Sequence, residues 1–204
     1  MPSQAHFVRM MKALNIRKSM TVVIYETGKG WFATRAAFML KAYGHPKVYI
    51  LDGGFSKWTK EGRATEGSND DAAFAAEYGY SLSGEHLIDY EGMKKASADG
   101  SIQIIDNRPL PDGASENVIP NSKVVQGPQL LCPDGTLKSA DEIKQLFEAK
   151  GVDVSKPMAF TCMAGVLSSF GYAAAVKAGL PGKMYFYDGS WSEFSDKSSK
   201  EAAA

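Results

Sequence analysis

The residue with the clearest chemical potential in this sequence is Cys162. An apolar run in residues 157–161 leads into the cysteine, glycine and small residues follow it, and an alanine-rich helical pattern begins soon after. This order predicts a buried strand, a tight loop and a helix. Ligands of open α/β sheets bind at the carboxyl ends of strands, and the N–H groups and dipole at a helix start favour negative charge there. A thiol at such a junction is biased toward the thiolate, its nucleophilic form.

Two other interpretations of Cys162 compete with that of a nucleophile. Free cysteine is among the residues most often buried in protein cores, so a structural thiol also fits the segment. A cysteine phosphatase places its cysteine between a strand and a helix too, but it needs an arginine six residues later to hold phosphate. Position 168 is serine, which argues against a phosphatase. The segment alone therefore leaves a nucleophile and a core thiol open.

The composition narrows the classes of protein to which the chain can belong. Its 204 residues suffice for one large domain or two small ones. The 23 Lys and Arg residues balance 23 Asp and Glu residues, so we expect no electrostatic capture of nucleic acid. The sequence has no apolar run of about 18 residues and no secretory signal pattern at its start, so we expect no membrane insertion.

The cysteine and histidine residues predict neither disulfide nor metal site. Cys132 and Cys162 lie in different local patterns, and we expect two free thiols in a reducing intracellular compartment, the mitochondrial matrix or the cytoplasm. His6, His45 and His86 are scattered, without metal-ligand spacing relative to either cysteine. We therefore expect no metal and no cofactor.

Helical and strand patterns alternate in two blocks, which predicts an α/β protein with central parallel sheets. In the first block we predict a helix over 5–14, a strand over 21–25, a helix over 31–43, a strand over 48–51 and a short helix through Trp58. In the second block we predict a helix over 87–95, a strand over 102–106, a long excursion over 110–133, a helix over 140–150, the strand before Cys162, its helix, and a strand over 184–187. Residues 63–80 are predicted to be a linker, and the polar residues from 195 onward are expected to fray.

The two blocks look like copies of one unit. An offset of 136 residues sets Asp52-Gly53 over Asp188-Gly189 without gaps. The same offset sets Lys41-Ala42 over Lys177-Ala178 and Tyr49 over Tyr185, and it carries Cys162 back to Glu26. Such a repeat would fix the architecture, although chance similarity of two strand-helix-strand segments is the alternative. The first copy is shorter and lacks its opening half.

Taken together, these motifs resemble the two-domain rhodanese family, the thiosulfate and 3-mercaptopyruvate sulfurtransferases. Residues 23–58 resemble the inactive N-terminal domain, residues 104–108 a strand ending in Asp-x-Arg, residues 134–139 the segment before a helix, and residues 188–194 the C-terminal signature. The resemblance implies two rhodanese-like three-layer units with central parallel sheets, the first incomplete. We expect a truncated inactive domain over 1–62, the linker over 63–80, the domain carrying Cys162 over 81–198 and a tail over 199–204.

The same resemblance implies a catalytic site. Cys162 would accept sulfur as a persulfide, and the backbone of residues 163–168 would hold the terminal sulfur. Arg108 would bind the carboxylate or sulfonate of the donor. The substrate-binding positions of the loop would be Met163, Ala164, Gly165, Val166 and Leu167. A small anionic donor, thiosulfate or 3-mercaptopyruvate, would pass sulfur to a thiol, sulfite or cyanide acceptor.

The loop differs from the family patterns, and this keeps a second function open. Family members have Cys-Arg-Lys-Gly-Val-Thr or Cys-Gly-Ser-Gly-Val-Thr here, whereas this chain has Cys-Met-Ala-Gly-Val-Leu from Cys162 to Leu167. The family sequence Gly-His-Ile-Pro-Gly-Ala is matched by residues 117–122, without the histidine. The alternative is therefore a catalytically weak or inactive subunit with a scaffold or assembly role in a larger complex, in which a protein partner completes the first unit.

Overall fold

The computed structural model describes residues 1–67, 79–111, 113–114 and 116–203, which form two compact units. The first unit is Met1–Gly84 and the second is Glu85–Ala204. Most of the predicted linker over 63–80 lies outside the described residues. Tyr80, at its end, is 2% exposed in the core of the first unit.

The first unit alternates helices and strands as its sequence predicts. Its elements are α1 (Gln4–Ala13), β1 (Val22–Ile24), α2 (Trp31–Ala42), β2 (Val48–Ile50) and α3 (Gly54–Lys60). The two strands pair in parallel, with Val22 opposite Val48. This arrangement confirms the α/β pattern, and each element lies within about two residues of its predicted range.

The sheet of the first unit is covered on one face. Helices α1 and α2 pack there around Phe7, whose ring stacks on Tyr43 with centroids 4.0 Å apart. Side chains alternate across a strand, so the residues between the core positions point to the opposite face. On that face Val23, Tyr25 and Tyr49 are 53%, 56% and 59% exposed. Among the described residues this face of the sheet is therefore largely exposed, although the Phe55 ring of α3 stacks on Tyr25.

The second unit is a three-layer α/β sandwich. Its elements are α4 (Tyr90–Asp99), β3 (Gln103–Asp106), β4 (Lys123–Val124), a short 3-10 helix (Gly127–Leu130), α5 (Ala140–Ala149), β5 (Met158–Thr161), α6 (Leu167–Lys177), β6 (Met184–Phe186) and α7 (Ser190–Ala202). The strands are all parallel, in the order β4-β3-β5-β6. Parallel sheets bury both faces, and β5 is buried at all four positions.

Neighbouring residues of β5 face opposite helical layers. Ala159 lies in a cluster with Tyr90 of α4 and Phe194 of α7. The next residue, Phe160, contacts the other layer, with ring centroids 6.2 Å from Phe147 of α5 and 5.7 Å from Tyr172 of α6. The strand before Cys162 is thus fixed from both sides, which gives the cysteine a rigid base.

Three local features differ from or refine the sequence expectations. The long excursion over 110–133 contains β4 and the 3-10 helix. The helix expected from residue 87 begins at Tyr90, because Asp89 caps it by accepting the Gly92 N–H at 2.9 Å. Helix α5 begins at a capping box, in which the Ser139 hydroxyl accepts the Glu142 N–H and the Glu142 carboxylate accepts the Ser139 N–H.

The expectation that residues from 195 onward fray is wrong. Helix α7 continues to Ala202 and carries ion pairs between residues four apart, Glu193 with Lys197 at 2.8 Å and Asp196 with Lys200 at 2.7 Å. Such spacing stabilises a helix by about 0.2–0.5 kcal/mol per pair. Within the described ranges no helix is long and apolar enough to cross a membrane.

Candidate active site

Cys162 follows directly on β5, the strand that pairs with β3 and β6 in the middle of the sheet. Thr161 and Asp106 are register partners on β5 and β3, so Cys162 and Arg108 follow neighbouring strands at the same edge of the sheet. Cys162 is 2% exposed. Helix α6 begins five residues later, at Leu167. The predicted junction of strand, loop and helix is therefore present.

Polar hydrogens surround the sulfur of Cys162. The Gly165 N–H donates to Sγ at 3.2 Å, and the hydroxyl of Ser168 donates at 3.5 Å. Gly165 has a φ of +82°, in the left-handed region that favours glycine, and this turn aims its N–H at the sulfur. The buried sulfur is therefore in contact with hydrogen-bond donors. A structural core thiol would instead be packed among apolar side chains.

The environment lowers the pKa of the Cys162 thiol. Burial is the largest influence and would raise the pKa, because it disfavours the charged form. Hydrogen bonds from the hydroxyl and backbone N–H of Ser168, from the backbone N–H of Ala164 and from Ser190 act in the other direction and outweigh burial. The thiolate is therefore more populated at neutral pH than for an ordinary cysteine.

Ser190 holds the loop from the side of α7. It is fully buried and has a φ of +52°, a region that residues other than glycine seldom adopt. Its Oγ accepts the N–H of Cys162 at 3.2 Å and of Gly165 at 3.1 Å, and it donates to the carbonyl of Tyr187 at 3.0 Å. The next residue, Trp191, donates its N–H to the Cys162 carbonyl at 3.0 Å.

Arg108 is engaged by a carboxylate of the protein. Its Nε lies 3.0 Å from both carboxylate oxygens of Asp106, and its Nη2 lies 2.6 Å from one of them. Nη2 also donates to the Asn117 carbonyl at 2.9 Å. Among the described residues no hydrogen bond uses Nη1. The Nε and Nη2 groups of Arg108, which together could bind a carboxylate at two points, therefore face Asp106. Nη1 is the nitrogen left for a ligand.

Trp191 links the arginine to the cysteine loop. The Arg108 guanidinium carbon lies 5.6 Å from the centre of the Trp191 ring, within cation–π range. The Trp191 backbone N–H also donates to the Cys162 carbonyl, so Trp191 contacts both residues. The structure thus brings the predicted nucleophile and the predicted arginine to the same end of the sheet.

The side chains of the loop after Cys162 are apolar. Met163 is 51% exposed and Ala164 is also exposed, while Val166 and Leu167 are half-buried and Gly165 is buried. None of these five side chains carries a charge or a hydroxyl group. The loop therefore offers backbone N–H groups to the sulfur and apolar contacts to whatever approaches it.

Sequence reasoning missed two of the groups at the sulfur. Ser168 was given only a backbone role in the loop, although its hydroxyl, six residues after the cysteine, falls in the first turn of α6. Ser190 belongs to the Asp-Gly-Ser-Trp motif, but its contact with Cys162, 28 positions earlier, has no local signal.

Cys132 is a second free thiol, whose N–H donates to the Thr136 carbonyl at 2.8 Å in a turn. The described ranges contain no cluster of three acidic, histidine or cysteine residues able to hold a metal.

The corresponding loop of the first unit holds a carboxylate. Glu26 accepts N–H groups from Gly30 at 2.7 Å and from Phe32 and Ala33 at 3.1 Å. The Phe55 N–H donates to the Glu26 carbonyl at 2.9 Å, just as the Trp191 N–H donates to the Cys162 carbonyl. The offset of 136 residues relates these two hydrogen bonds. An internal anion thus occupies the loop at the start of α2.

Comparison with known proteins agrees with this geometry. The chain matches the Rhodanese-like domain over residues 2–61 and 89–197. It is 34% identical over 209 residues to the thiosulfate sulfurtransferase of Gallus gallus, covering 95% of this chain and 70% of that protein. It is 31% identical over 206 residues to the 3-mercaptopyruvate sulfurtransferase of Homo sapiens, covering 95% and 69%.

A solved structure supports the same conclusion. The crystal structure of SseA from Escherichia coli, described in connection with 3-mercaptopyruvate sulfotransferases, superposes with a TM-score of 0.80 at 28% identity. The similarity covers 91% of this chain and 72% of that one. With sequence similarity over both units and the parallel sheets in place, the chain belongs to the rhodanese family.

Proposed function

We propose that this sulfurtransferase uses Cys162 as its nucleophile and carries the transferred sulfur on it as a persulfide. The observation that supports this most strongly is the sulfur of Cys162 beside the Gly165 N–H at 3.2 Å and the Ser168 hydroxyl at 3.5 Å, at the start of α6. These hydrogen-bond donors favour negative charge on the attacking thiolate and on the persulfide that replaces it.

The first half of the reaction loads the sulfur. With thiosulfate, the Cys162 thiolate attacks the outer sulfur, a new S–S bond forms, and the old S–S bond breaks to release sulfite with its electron pair. With 3-mercaptopyruvate, the thiolate attacks the thiol sulfur, and the C–S bond breaks to release the enolate of pyruvate, which then takes up a proton. Both donors are small anions, and both leave the sulfur on Cys162.

The second half returns the enzyme to its starting state. A thiol, sulfite or cyanide acceptor attacks the outer sulfur of the persulfide, and the S–S bond breaks so that Cys162 leaves as a thiolate. The donor product departs before the acceptor reacts, which is a ping-pong pattern. The loop N–H groups, already in place at the sulfur, need no reorganisation between the two halves.

Arg108 and the loop would position the donor. The Nη1 of Arg108 is available for one oxygen of a carboxylate or sulfonate, while Asp106 fixes the rest of the guanidinium. Met163, Ala164 and Val166 form the apolar surface beside the sulfur. Binding a donor between the arginine and the loop brings its sulfur toward Cys162 and supplies proximity.

We also propose a cellular setting and a partner. The cysteines Cys132 and Cys162 are free thiols, which suits a reducing intracellular compartment such as the mitochondrial matrix or the cytoplasm. The uncovered sheet face with Val23, Tyr25 and Tyr49 supports further polypeptide that completes the first unit. The same surface favours the alternative function, a rhodanese-like subunit with an assembly role.

Mass spectrometry of the intact protein tests the function. After incubation with thiosulfate or 3-mercaptopyruvate and removal of the donor, we expect the protein to gain the mass of one sulfur atom, and cyanide to remove it. Cys132→Ser is the matched control and should retain the gain, whereas Cys162→Ser should lose it. If Cys162 takes up no sulfur from either donor and the protein behaves only as part of a complex, the assembly role is the better description.

A further inference from the structure

We infer that the donor selected by this site carries its transferable sulfur on a carbon framework with at most one negative charge, and that thiosulfate is a poor donor. This inference rests on the proposed function and narrows it. It follows from the charges and the exposed surface around Cys162, which fit one kind of donor better than another.

Positive charge near the sulfur is already balanced. The Arg108 guanidinium is paired with the fully buried Asp106 carboxylate at 2.6 Å. The loop from Met163 to Leu167 contributes no cationic side chain. The described surroundings of Cys162 therefore add no net positive charge from these side chains.

Thiosulfate meets this site at a disadvantage. It brings two negative charges toward a thiolate that is itself negative, and like charges within a few ångströms repel strongly where water is excluded. The N–H of Gly165 and the hydroxyl of Ser168, the nearest groups able to offset that charge, already point at the Cys162 sulfur. A dianion must also give up its hydration, which costs free energy unless a cation replaces it.

An organic donor, whose transferable sulfur is attached to carbon directly or through a second sulfur, fits the same surroundings. Its single carboxylate, where it has one, needs one N–H, and Arg108 keeps Nη1 for that purpose. Its carbon framework can cover Met163, which is 51% exposed, together with Val166 and Leu167. Removing apolar surface from water is favourable. Both a mercapto acid and the persulfide of an organic thiol meet this description.

The chemistry balances for an organic persulfide R–S–SH. The Cys162 thiolate attacks the outer sulfur, a new S–S bond forms to give Cys–S–SH, and the S–S bond of the donor breaks to release the thiolate R–S⁻. One sulfur atom moves without net oxidation or reduction of protein and donor together. The new persulfide can then lose its proton to solvent, and the hydrogen bonds from the loop favour this anionic form.

Single-turnover loading rates test the inference. The full chain is mixed with thiosulfate, with 3-mercaptopyruvate or with the persulfide of 2-mercaptoethanol, and the sulfur adduct on Cys162 is followed by mass. We expect at least one of the two organic donors to load the cysteine about tenfold faster than thiosulfate at equal concentration. The comparison between the last two donors separates a mercapto acid from an organic persulfide as the source.

Two variants at position 164 test whether charge causes the difference between the donors. In Ala164→Lys we expect the ratio of the thiosulfate rate to the 2-mercaptoethanol persulfide rate to rise about tenfold, and the gain to shrink with added salt. Ala164→Gln, similar in polarity but uncharged, should not raise that ratio. Wild-type loading by thiosulfate as fast as by both other donors would overturn the inference and leave the proposed function intact. No adduct on Cys162 from any donor would instead refute the proposed function.

Discussion

The hydroxyl oxygen of Ser168 lies 3.5 Å from the sulfur of Cys162, and Ser168 is fully buried. Its side-chain and backbone hydrogen bonds are the largest of the influences that lower the pKa of the thiol against the opposing effect of burial. The residue six positions after the cysteine therefore favours the charged form of the Cys162 thiol, in part through a hydroxyl group.

Ser168→Ala should make Cys162 less reactive at neutral pH. Loss of the hydroxyl raises the pKa of the thiol, so the thiolate fraction at pH 7 falls and the acid limb of the rate profile moves to higher pH. We expect alkylation by iodoacetamide at pH 7 to slow by about tenfold, the effect of one hydrogen bond to a charged group. The rate is measured across pH by mass spectrometry.

Two variants control this experiment. Ser168→Thr keeps a hydroxyl group and should keep most of the reactivity. Ser169→Ala removes the neighbouring buried hydroxyl, which donates to the Val166 carbonyl at 2.6 Å, and should leave the pH profile in place. A profile for Ser168→Ala that coincides with wild type would show that the backbone N–H groups alone set the charge of Cys162.

The sequence predicted the strand, loop and helix around the proposed nucleophile but not its full surroundings. The strand, loop and helix around Cys162 come from local hydrophobic periodicity, which one segment contains in full. Contacts such as Ser190 on the loop, or Asp106 on Arg108, depend on how distant or neighbouring side chains turn once the sheet has formed. Helix α7 was not predicted, and its residues from 195 onward were expected to fray, because its end is stabilised by ion pairs and not by an apolar stripe.

Ser190 allows backbone strain to be separated from hydrogen bonding. Its φ of +52° is unfavourable for a residue with a side chain, while its Oγ satisfies the N–H groups of Cys162 and Gly165. Ser190→Ala keeps the strain and loses the acceptor, so we expect a loss of about 1–3 kcal/mol in unfolding free energy. Ser190→Gly relieves the strain and should be more stable than Ser190→Ala by about 1 kcal/mol.

Urea unfolding of the two Ser190 variants, together with Cys162 alkylation, tests this separation. Both variants should alkylate more slowly than wild type, since neither holds the loop N–H groups in place. The interpretation fails if glycine is no more stable than alanine at this position, or if both variants alkylate at the wild-type rate.

Glu26 should stabilise the first unit as an internal anion. Its carboxylate accepts three N–H groups at the start of α2, and Glu26→Ala leaves all three without this acceptor. We expect the opening free energy of this segment to fall by about 1–3 kcal/mol. Glu26→Gln keeps one carbonyl oxygen as an acceptor and should lose less. Hydrogen exchange of the Phe32 and Ala33 amides reports the change directly.

A matched control for Glu26 is available in the same unit. Glu66 is exposed and lies outside the helices and strands, so Glu66→Gln should leave exchange at Phe32 unchanged. Wild-type protection of both amides in Glu26→Ala would mean that the loop is held by its other contacts, such as the Phe55 N–H on the Glu26 carbonyl.

The buried pair of Asp106 and Arg108 should show strong non-additivity. Both side chains are buried, and their shortest contact is 2.6 Å, so removing one partner leaves an uncompensated charge in a low-dielectric interior. We expect Asp106→Leu and Arg108→Met each to lower the free energy of unfolding by about 3–5 kcal/mol. The double variant removes both charges and should lose less than the sum of the two.

The double-mutant cycle is read by urea unfolding followed by hydrogen exchange of peptides from β3, which assigns the transition to the second unit. A pair such as Lys200 and Asp196, exposed at a similar 2.7 Å distance, serves as the control and should give a coupling of about 1 kcal/mol or less. Additive losses at Asp106 and Arg108 would mean that water reaches the pair and replaces the missing partner. In that case the Arg108 guanidinium would turn its Nε and Nη2 groups toward a sulfur donor more easily than the present geometry allows.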